Sequence, residues 1–560
     1  MFEEKIKDII AKALKDFNLK KEEIVLEKPK EAYGDFAFPC FSLARVLKRS
    51  PLEIAEELAK KIKPTKEIEK VVALQGYVNF FVNKEIMAEN ILSEILEKKN
   101  KYGNGSCKEK IMTEFCHANT HKAFHIGHTR NICLGESISR ILEKNGCKVI
   151  RVNYQGDIGM HVAKTLWGLM NLKKLNLKVP KKNKGSWLGI VYAKASKAAE
   201  NEKIAKEIDE INRRLYARDK KLVKLWKKTR QWSLDYFEKV VYPDFDVKFD
   251  RFYFESEVER KGVEIVKELL EKGIAKKSEG AIVMDLEKFG LGVFLLLKSD
   301  GTPLYSTKDL ALAILQNKEY NPDQILHVVG SEQNFYFKQL IKTLEIILPD
   351  IAKKEKHVSY ELVILPSGKM ASRQGEVVLY EDTLKKLIEL AKEEIRKRAK
   401  LRSKELERRA KKIALSAIKY AMLSQSMKKT IVFNENEIIR FEGDTGPYLL
   451  YTYARASSII RKSKKKKIAF KIKSLKEQEI KLIKMLSNFP ETVERAKKEL
   501  DPSLIANYSY QLAQIFNEFY HSCPVLKSSE KDQRLAMVQA TRIVLKESLR
   551  LLGIETIERM

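Results

Sequence analysis

Histidine, tryptophan and cysteine are scarce in this 560-residue chain, at eight, four and six residues, and long apolar runs are missing. The longest run of large aliphatic and aromatic side chains, Val293 to Leu297, falls far short of the roughly 20 residues a membrane-spanning helix needs. None of the cysteines (Cys40, Cys107, Cys116, Cys133, Cys147 and Cys523) forms a CxxC pair, so the spacing supports neither a zinc ribbon nor a disulfide framework. A reduced, cytoplasmic chain is expected. Met1 to Phe17 alternates charged residues with Phe2, Ile6, Ile9, Ile10, Ala13, Leu14 and Phe17, which reads as an amphipathic helix and not a signal peptide. No internal repeat or low-complexity tract stands out. Negative charge is also short: 76 Asp and Glu against 107 Lys and Arg give a formal net charge of +31. Such an excess costs self-repulsion and suits a polyanionic partner, nucleic acid first; a generally basic proteome or a Lys/Glu-rich, thermophile-like surface is the other reading.

What is present is ample core material, 44% hydrophobic residues in 64.7 kDa, enough at about 150 residues per domain for three or four domains. The first segment, to about residue 85, combines the N-terminal helix, a second helix capped by Ser50 with Pro51 at its first position, and a β-rich stretch from Val71 to Val82. It reads as a small α+β module. Beyond the turn-rich Tyr102-Gly-Asn-Gly-Ser, a strand at Lys110 to Phe115, a His- and Asn-rich loop, a helix over about 127–145 and a strand at 148–153 make a βαβ unit, hence a parallel sheet. Further strands are expected at 280–285, 292–297, 324–329 and 357–365, with a Lys/Glu-heavy helical insertion over about 164–248 that holds all four tryptophans. From about Glu381 onward the pattern is helical. The basic runs at 396–412 and 464–467 are either solvated faces or phosphate contacts. The expected architecture is thus an α/β Rossmann-type domain (108–375), a small α+β domain (1–85) and an all-α C-terminal domain (376–560).

Four of the eight histidines fall within twelve residues: His117, His121, His125 and His128. The last two, in His125-Ile-Gly127-His128, sit where the first βα loop enters a helix, at the carboxyl end of a parallel strand, where open sheets bind ligands. A helix N-terminus supplies backbone donors and positive potential for phosphate, Gly127 permits close backbone approach, and imidazoles can donate to phosphate oxygens. A metal site or capping histidines are the blander readings. About 240 residues on, Pro366-Ser-Gly-Lys369-Met370-Ala-Ser-Arg373 is a cationic, Gly-containing loop after a strand, suited to clamping a triphosphate and neutralising its pyrophosphate.

Together these strings resemble the two signatures of class I aminoacyl-tRNA synthetases, HIGH and KMSKS. The segments around them, Glu114-Phe-Cys-His-Ala-Asn119 through Arg130, Tyr305-Ser-Thr-Lys-Asp309-Leu-Ala and Val329-Gly-Ser-Glu-Gln333, are similar to those of arginyl-tRNA synthetases. Phe441-Glu-Gly-Asp-Thr-Gly-Pro-Tyr and the closing Leu551 to Met560 resemble that family's anticodon-binding helices, and Gly34-Asp-Phe its N-terminal domain. The resemblance implies an ATP- and Mg²⁺-dependent, monomeric enzyme that activates L-arginine to its adenylate and transfers it to the terminal adenosine of tRNA(Arg), with tRNA ordering the site before activation. No resident metal site is expected. Catalytic residues would be His125, His128 and Lys369, with Lys122, Gly127, Met370 and Arg373 completing the ATP site. Arginine would be held by Glu114, Asn119, Tyr305, Asp309 and Gln333, a set with the carboxylates and acceptors that a five-donor guanidinium requires. Tyr77 and Asn79 would stack on and hydrogen-bond a base at the tRNA elbow. On residue type alone Asp309 is equally a cap, Tyr305 packing, and Tyr77 and Asn79 ordinary strand residues.

Two departures from the family pattern matter. The second signature carries Ala371, Ser372 and Arg373 and lacks a second lysine, so Lys122, three residues before His125, is the candidate for the missing charge. Asn153-Tyr-Gln-Gly156-Asp157 departs from the family's segment, with His161 beyond it, and leaves Gly156 and Asp157 as sheet-end residues without an assigned role. A cysteine-specific class I enzyme, a tRNA-binding protein that has lost catalysis, and a nucleotidyltransferase sharing the histidine motif are the rivals.

Overall fold

The computed structural model describes residues 2–15, 23–30, 33–366, 368, 378–465 and 468–560, which divide into two compact units. The first comprises Met1–Tyr102, Ile459–Asn488 and Gln514–Val544. Its N-terminal part is a three-stranded antiparallel sheet, in the order Phe36–Pro39, Tyr77–Val82, Ile68–Leu74, with helices Phe2–Ala13, Phe41–Leu47 and Pro51–Lys61. The amphipathic N-terminal pattern buries Ile6, Ile10 and Ala13 against Phe38, Leu58 and Phe80. The stretch expected as one strand over 71–82 is instead a hairpin. Gln75 and Gly76 both adopt positive φ (52° and 82°), which reverses the chain in two residues.

The second unit, Gly103–Ser458, Phe489–Ala513 and Leu545–Met560, is built on a five-stranded sheet. All of its strands run parallel, in the order Glu355–Tyr360, Gln324–Gly330, Lys110–Glu114, Lys148–Gln155, Arg251–Phe254. Chain order reverses between Gln324–Gly330 and Lys110–Glu114, so a crevice opens beyond the carboxyl ends of those two strands. Helix Ile126–Lys144 lies against the sheet so closely that a Cβ on Gly135 would meet the Phe115 ring at 2.0 Å; only glycine fits there. Asn131 of the same helix donates to the Val328 carbonyl at 2.7 Å and accepts from the Cys116 backbone, tying helix, loop and sheet.

Three sequence expectations need correcting. Strands Ala281–Asp285 and Val293–Leu297 pair antiparallel in a separate sheet with Lys276–Ser278, because the short turn between them cannot carry the crossover that a parallel pair requires. The expected strand over 357–365 is two: Glu355–Tyr360 joins the parallel sheet, and Val363–Ile364 pairs with Ile431–Val432. Arg251–Phe254, too short and mixed to register in the pattern, is the fifth sheet strand. The cysteines are corrected as well: Cys107 and Cys147 form a disulfide across 40 residues of sequence, with Cα atoms 4.9 Å apart. They lie just before two neighbouring parallel strands in which Lys110 faces Lys148, a proximity that linear spacing does not reveal. Cys40, Cys116, Cys133 and Cys523 are free and buried.

The insertion is helical, from Met160–Met170 through Lys184–Ala198, Glu202–Tyr216 and Lys220–Tyr236. Trp167, Trp187 and Trp226 are buried in it. Beyond Leu379 the described chain is helices joined by turns and irregular segments, apart from the two-residue strand Ile431–Val432.

Candidate active site

The loop from Phe115 to Phe124 leaves the end of strand Lys110–Glu114 and delivers His125 as N-cap of helix Ile126–Lys144. His125 Nδ1 accepts from the Gly127 amide at 3.1 Å, and His128 Nδ1 accepts from the His125 amide at 3.3 Å. The two rings lie with centroids 3.8 Å apart. With these nitrogens accepting, each imidazole keeps its Nε2 as a donor. Burial, reinforced by the Lys122 ammonium, pushes His125 down to about 4, and burial drives His128 well below the ordinary histidine range. Both rings are therefore neutral donors at physiological pH. The four clustered histidines do not share one role. His121 bonds Thr120 and Thr229 at 2.9 and 2.8 Å, its amide donates to Ser233, and burial lowers it to about 3, so it fastens the insertion to this loop.

The chain after the second signature returns to this point. The Tyr380 amide donates to the Phe124 carbonyl at 3.1 Å, the Ile126 amide to the Val378 carbonyl at 3.2 Å, and His125 bridges Leu379. Lys369, Met370 and Arg373 lie outside the described residues. Lys122 Nζ sits 5.2 Å above the Tyr192 ring and lines an open cavity of about 380 Å³ with His161, Lys164, Glu255, Tyr305 and Lys308.

On the other side of the crevice lies a carboxylate-rich pocket. Tyr305 opens helix Tyr305–Tyr320 and is 60% exposed, while Asp309, one turn on, is half-buried with its Oδ1 out of reach of solvent. Asp309 Oδ2 accepts from Tyr336 Oη at 2.5 Å, and its Oδ1 has no partner. Burial, with Glu114 and Glu255 nearby, raises the Asp309 carboxyl to about 7. Such an orphaned oxygen costs roughly 1–3 kcal/mol unless a donor arrives. Asn119 Oδ1 accepts from the Gly156 amide at 3.0 Å, and a Cβ at Gly156 would strike that oxygen at 2.4 Å, which accounts for glycine there. Gln333 is exposed beside the sheet's switch point, ending the turn Ser331–Gln333. Glu114 is wholly buried with both oxygens engaged: Oε1 faces His327 Nδ1 at 2.9 Å, and Oε2 accepts from Gln316 at 2.5 Å. The histidine pairing outweighs burial and holds the Glu114 carboxyl below its ordinary range.

Sequence reasoning missed His327, Tyr336, Gln316 and Glu355, which surround Asp309 and Glu114. The strand register carried a signal: His327 is the cross-strand partner of Glu114. Asp157 has a structural task. Its carboxylate accepts from Arg230 at 2.5 Å and from the Ser256 hydroxyl and amide at 2.7 and 2.9 Å, clamping the insertion to the sheet. In the N-terminal unit Tyr77 packs edge-on against Phe41 with centroids 5.2 Å apart, and Asn79 is only 3% exposed.

Comparison with known proteins matches residues 91–435 to the tRNA synthetases class I (R) catalytic domain, 449–560 to the DALR anticodon binding domain, and 4–82 to the arginyl tRNA synthetase N terminal domain. The chain is 37% identical to an arginine–tRNA ligase of Halothermothrix orenii, over 100% of both chains. It is 36% identical to that of Bdellovibrio bacteriovorus, over 99% of this chain and 98% of the relative. Among solved structures it is similar to the arginyl-tRNA synthetase of Thermus thermophilus, with TM-score 0.82, 26% identity and complete coverage of both chains.

Proposed function

The chain belongs to the arginyl-tRNA synthetase family, and on that premise we propose how its own residues carry out arginine–tRNA ligation. The observation that carries the proposal is the unpartnered Asp309 Oδ1, a buried acceptor beside the switch-point crevice. The arginine guanidinium donates to it, with Tyr305 covering the charged end from the rim. Asn119 and Gln333 hold the α-amino and carboxylate groups, and Glu114 contributes charge from below. ATP lies across the N-terminus of helix Ile126–Lys144, where His125 and His128 donate from Nε2 and the backbone at Gly127 allows close approach.

The arginine carboxylate attacks the α-phosphate, giving the adenylate and pyrophosphate. The terminal adenosine of tRNA(Arg) then takes the arginyl group on its 2′-hydroxyl. No covalent enzyme intermediate is required, and catalysis consists of positioning and charge stabilisation. Lys369, with Met370 and Arg373, neutralises the departing pyrophosphate from the second signature, and Lys122 supplies charge that this signature lacks. Mg²⁺ prefers oxygen ligands, whereas the described groups beside the nucleotide site are mostly imidazoles and ammoniums, and their one carboxylate, Glu255, is paired with Lys308; the ion would be held chiefly by the phosphates of ATP and would supply charge neutralisation there.

The three functional parts are a tRNA-elbow module over 1–85, in which half-buried Tyr77 meets a base and buried Asn79 supports its strand, a catalytic domain over 108–375 and an anticodon-binding domain over 376–560. The enzyme works as a cytoplasmic monomer; no helix among the described residues is long and apolar enough to cross a membrane. The test is arginine-dependent exchange of pyrophosphate into ATP, with and without tRNA(Arg). Exchange that needs both arginine and tRNA supports the reading, and exchange without tRNA removes the ordering role. Lys122→Ala with unchanged exchange would remove Lys122 from the ATP site.

A further inference from the structure

We propose that His327 is a positioning residue for arginine selection: clamped as an imidazolium between Glu114 and Glu355 on three adjacent strands, it supplies the fixed positive charge that keeps Asp309 ready for a guanidinium. The inference rests on Asp309 being the guanidinium carboxylate.

The geometry suits the charged form. His327 Nδ1 lies 2.9 Å from Glu114 Oε1, and Nε2 lies 2.5 Å from Glu355 Oε2. A neutral imidazole has one N–H and can satisfy only one of these acceptors; with both carboxylates ionised, the two contacts together require two donors. The strand register fixes the arrangement. His327 faces Glu114 directly across one ladder and His357 across the other, and Glu355, two residues before His357, points to the same side. The side chains of His327, Glu114 and Glu355 are 10%, 4% and 2% exposed, so water cannot screen them.

His327 and Asp309 line the same small cavity of about 30 Å³ with Glu114, Gln316 and Glu355. Unpartnered acceptors collect around it: Asp309 Oδ1, Glu355 Oε1 and Gln316 Oε1. Three carboxylates beside one buried space repel one another, and a guanidinium alone would have to offset them all. The groups facing the imidazolium are Glu114, Glu355, His357, His117 and Asp309; burial keeps His117 and His357 below the ordinary histidine range. Facing Asp309 are Glu114, Glu255, Tyr336, Tyr154 and Tyr305. Lys308, the remaining cation nearby, is held by Glu255 at 2.5 Å. The Tyr336 hydrogen bond lowers the Asp309 carboxyl against burial and the neighbouring acids, and among the described residues around Asp309 His327 is the positive charge that adds to it.

The test is steady-state aminoacylation by the full chain at saturating ATP and tRNA(Arg), with arginine varied from about pH 6 to about pH 9. His327→Gln, which keeps one hydrogen bond and removes the charge, is expected to raise the arginine KM about five- to ten-fold near pH 7 with kcat within about two-fold, because the Asp309 carboxyl is pushed up. The gap should close to about two-fold near pH 9, where Asp309 ionises unaided. His327→Lys should restore the wild-type profile. A KM rise that is the same at every pH, a loss in kcat alone, or a lysine variant that behaves like glutamine overturns the proposal. Should His327→Gln not fold, His327→Asn removes the same charge and should shift the KM midpoint upward likewise; an unmoved midpoint there overturns it equally. Asp309→Asn separates the two readings. If it leaves the arginine KM unchanged, the pocket assignment fails; if it abolishes selection while His327→Gln keeps the wild-type profile, only the inference about His327 fails.

Discussion

Two sides of one crevice hold histidines, half-buried His125 and His128 on one and buried His327 on the other, in opposite protonation states. On the nucleotide side His125 and His128 have backbone amides as donors to them and a lysine nearby, so burial removes their charge. On the amino-acid side His327 has a carboxylate against each ring nitrogen and is pushed well above its ordinary range. Burial alone therefore does not decide charge; the partners at hydrogen-bond distance do. The same contrast separates two aspartates. Asp157, with three donors, is a strut, whereas Asp309, with one donor and one orphaned oxygen, is a binding group.

The contrast can be broken most sharply at the aspartates. Asp309→Asn should lower kcat/KM for arginine about a thousand-fold, since a charged hydrogen bond in a buried site is worth roughly 2–5 kcal/mol. Aminoacylation kinetics would check it, and an effect below about ten-fold would demote Asp309 to packing. At the histidines, His128→Ala should cut the rate of pyrophosphate exchange about a hundred-fold, the usual loss for one transition-state donor. His125→Asn should retain more rate than His125→Ala, because the neutral ring acts only as a donor.

The wild-type pH profile is a milder probe. The Asp309 carboxyl is raised to about 7 and the guanidinium binds its ionised form, so the arginine KM should be flat above neutrality. It should climb about ten-fold as pH falls one unit below that point. Smallest for activity is Asp157→Asn, which should lower the melting temperature by several degrees by leaving Arg230 beside an uncharged partner. The arginine KM should stay within about three-fold, because Asp157 does not line the arginine pocket.

The sequence disclosed the local parts of this site well. His125, Gly127 and His128 were legible because a histidine loop running into a helix is a contiguous signal, and Tyr305 and Asp309 because they share one contiguous segment, which the structure places on one helix. What stayed hidden was set by register and topology. Glu114 and His327 are 213 residues apart and meet only because two strands are neighbours with His327 opposite Glu114. Cys107 and Cys147 meet for the same reason. The short strand Arg251–Phe254 and the antiparallel pairing of Ala281–Asp285 with Val293–Leu297 depended on tertiary partners, not on local pattern.

The account rests on opposite charge states at buried histidines, and nitrogen NMR of histidine-labelled protein reads those states directly. His327 should remain doubly protonated from about pH 6 to about pH 8, while His125 and His128 remain neutral throughout that range. A neutral His327 at pH 7, or His125 and His128 titrating near the ordinary histidine value of about 6.5, would contradict it.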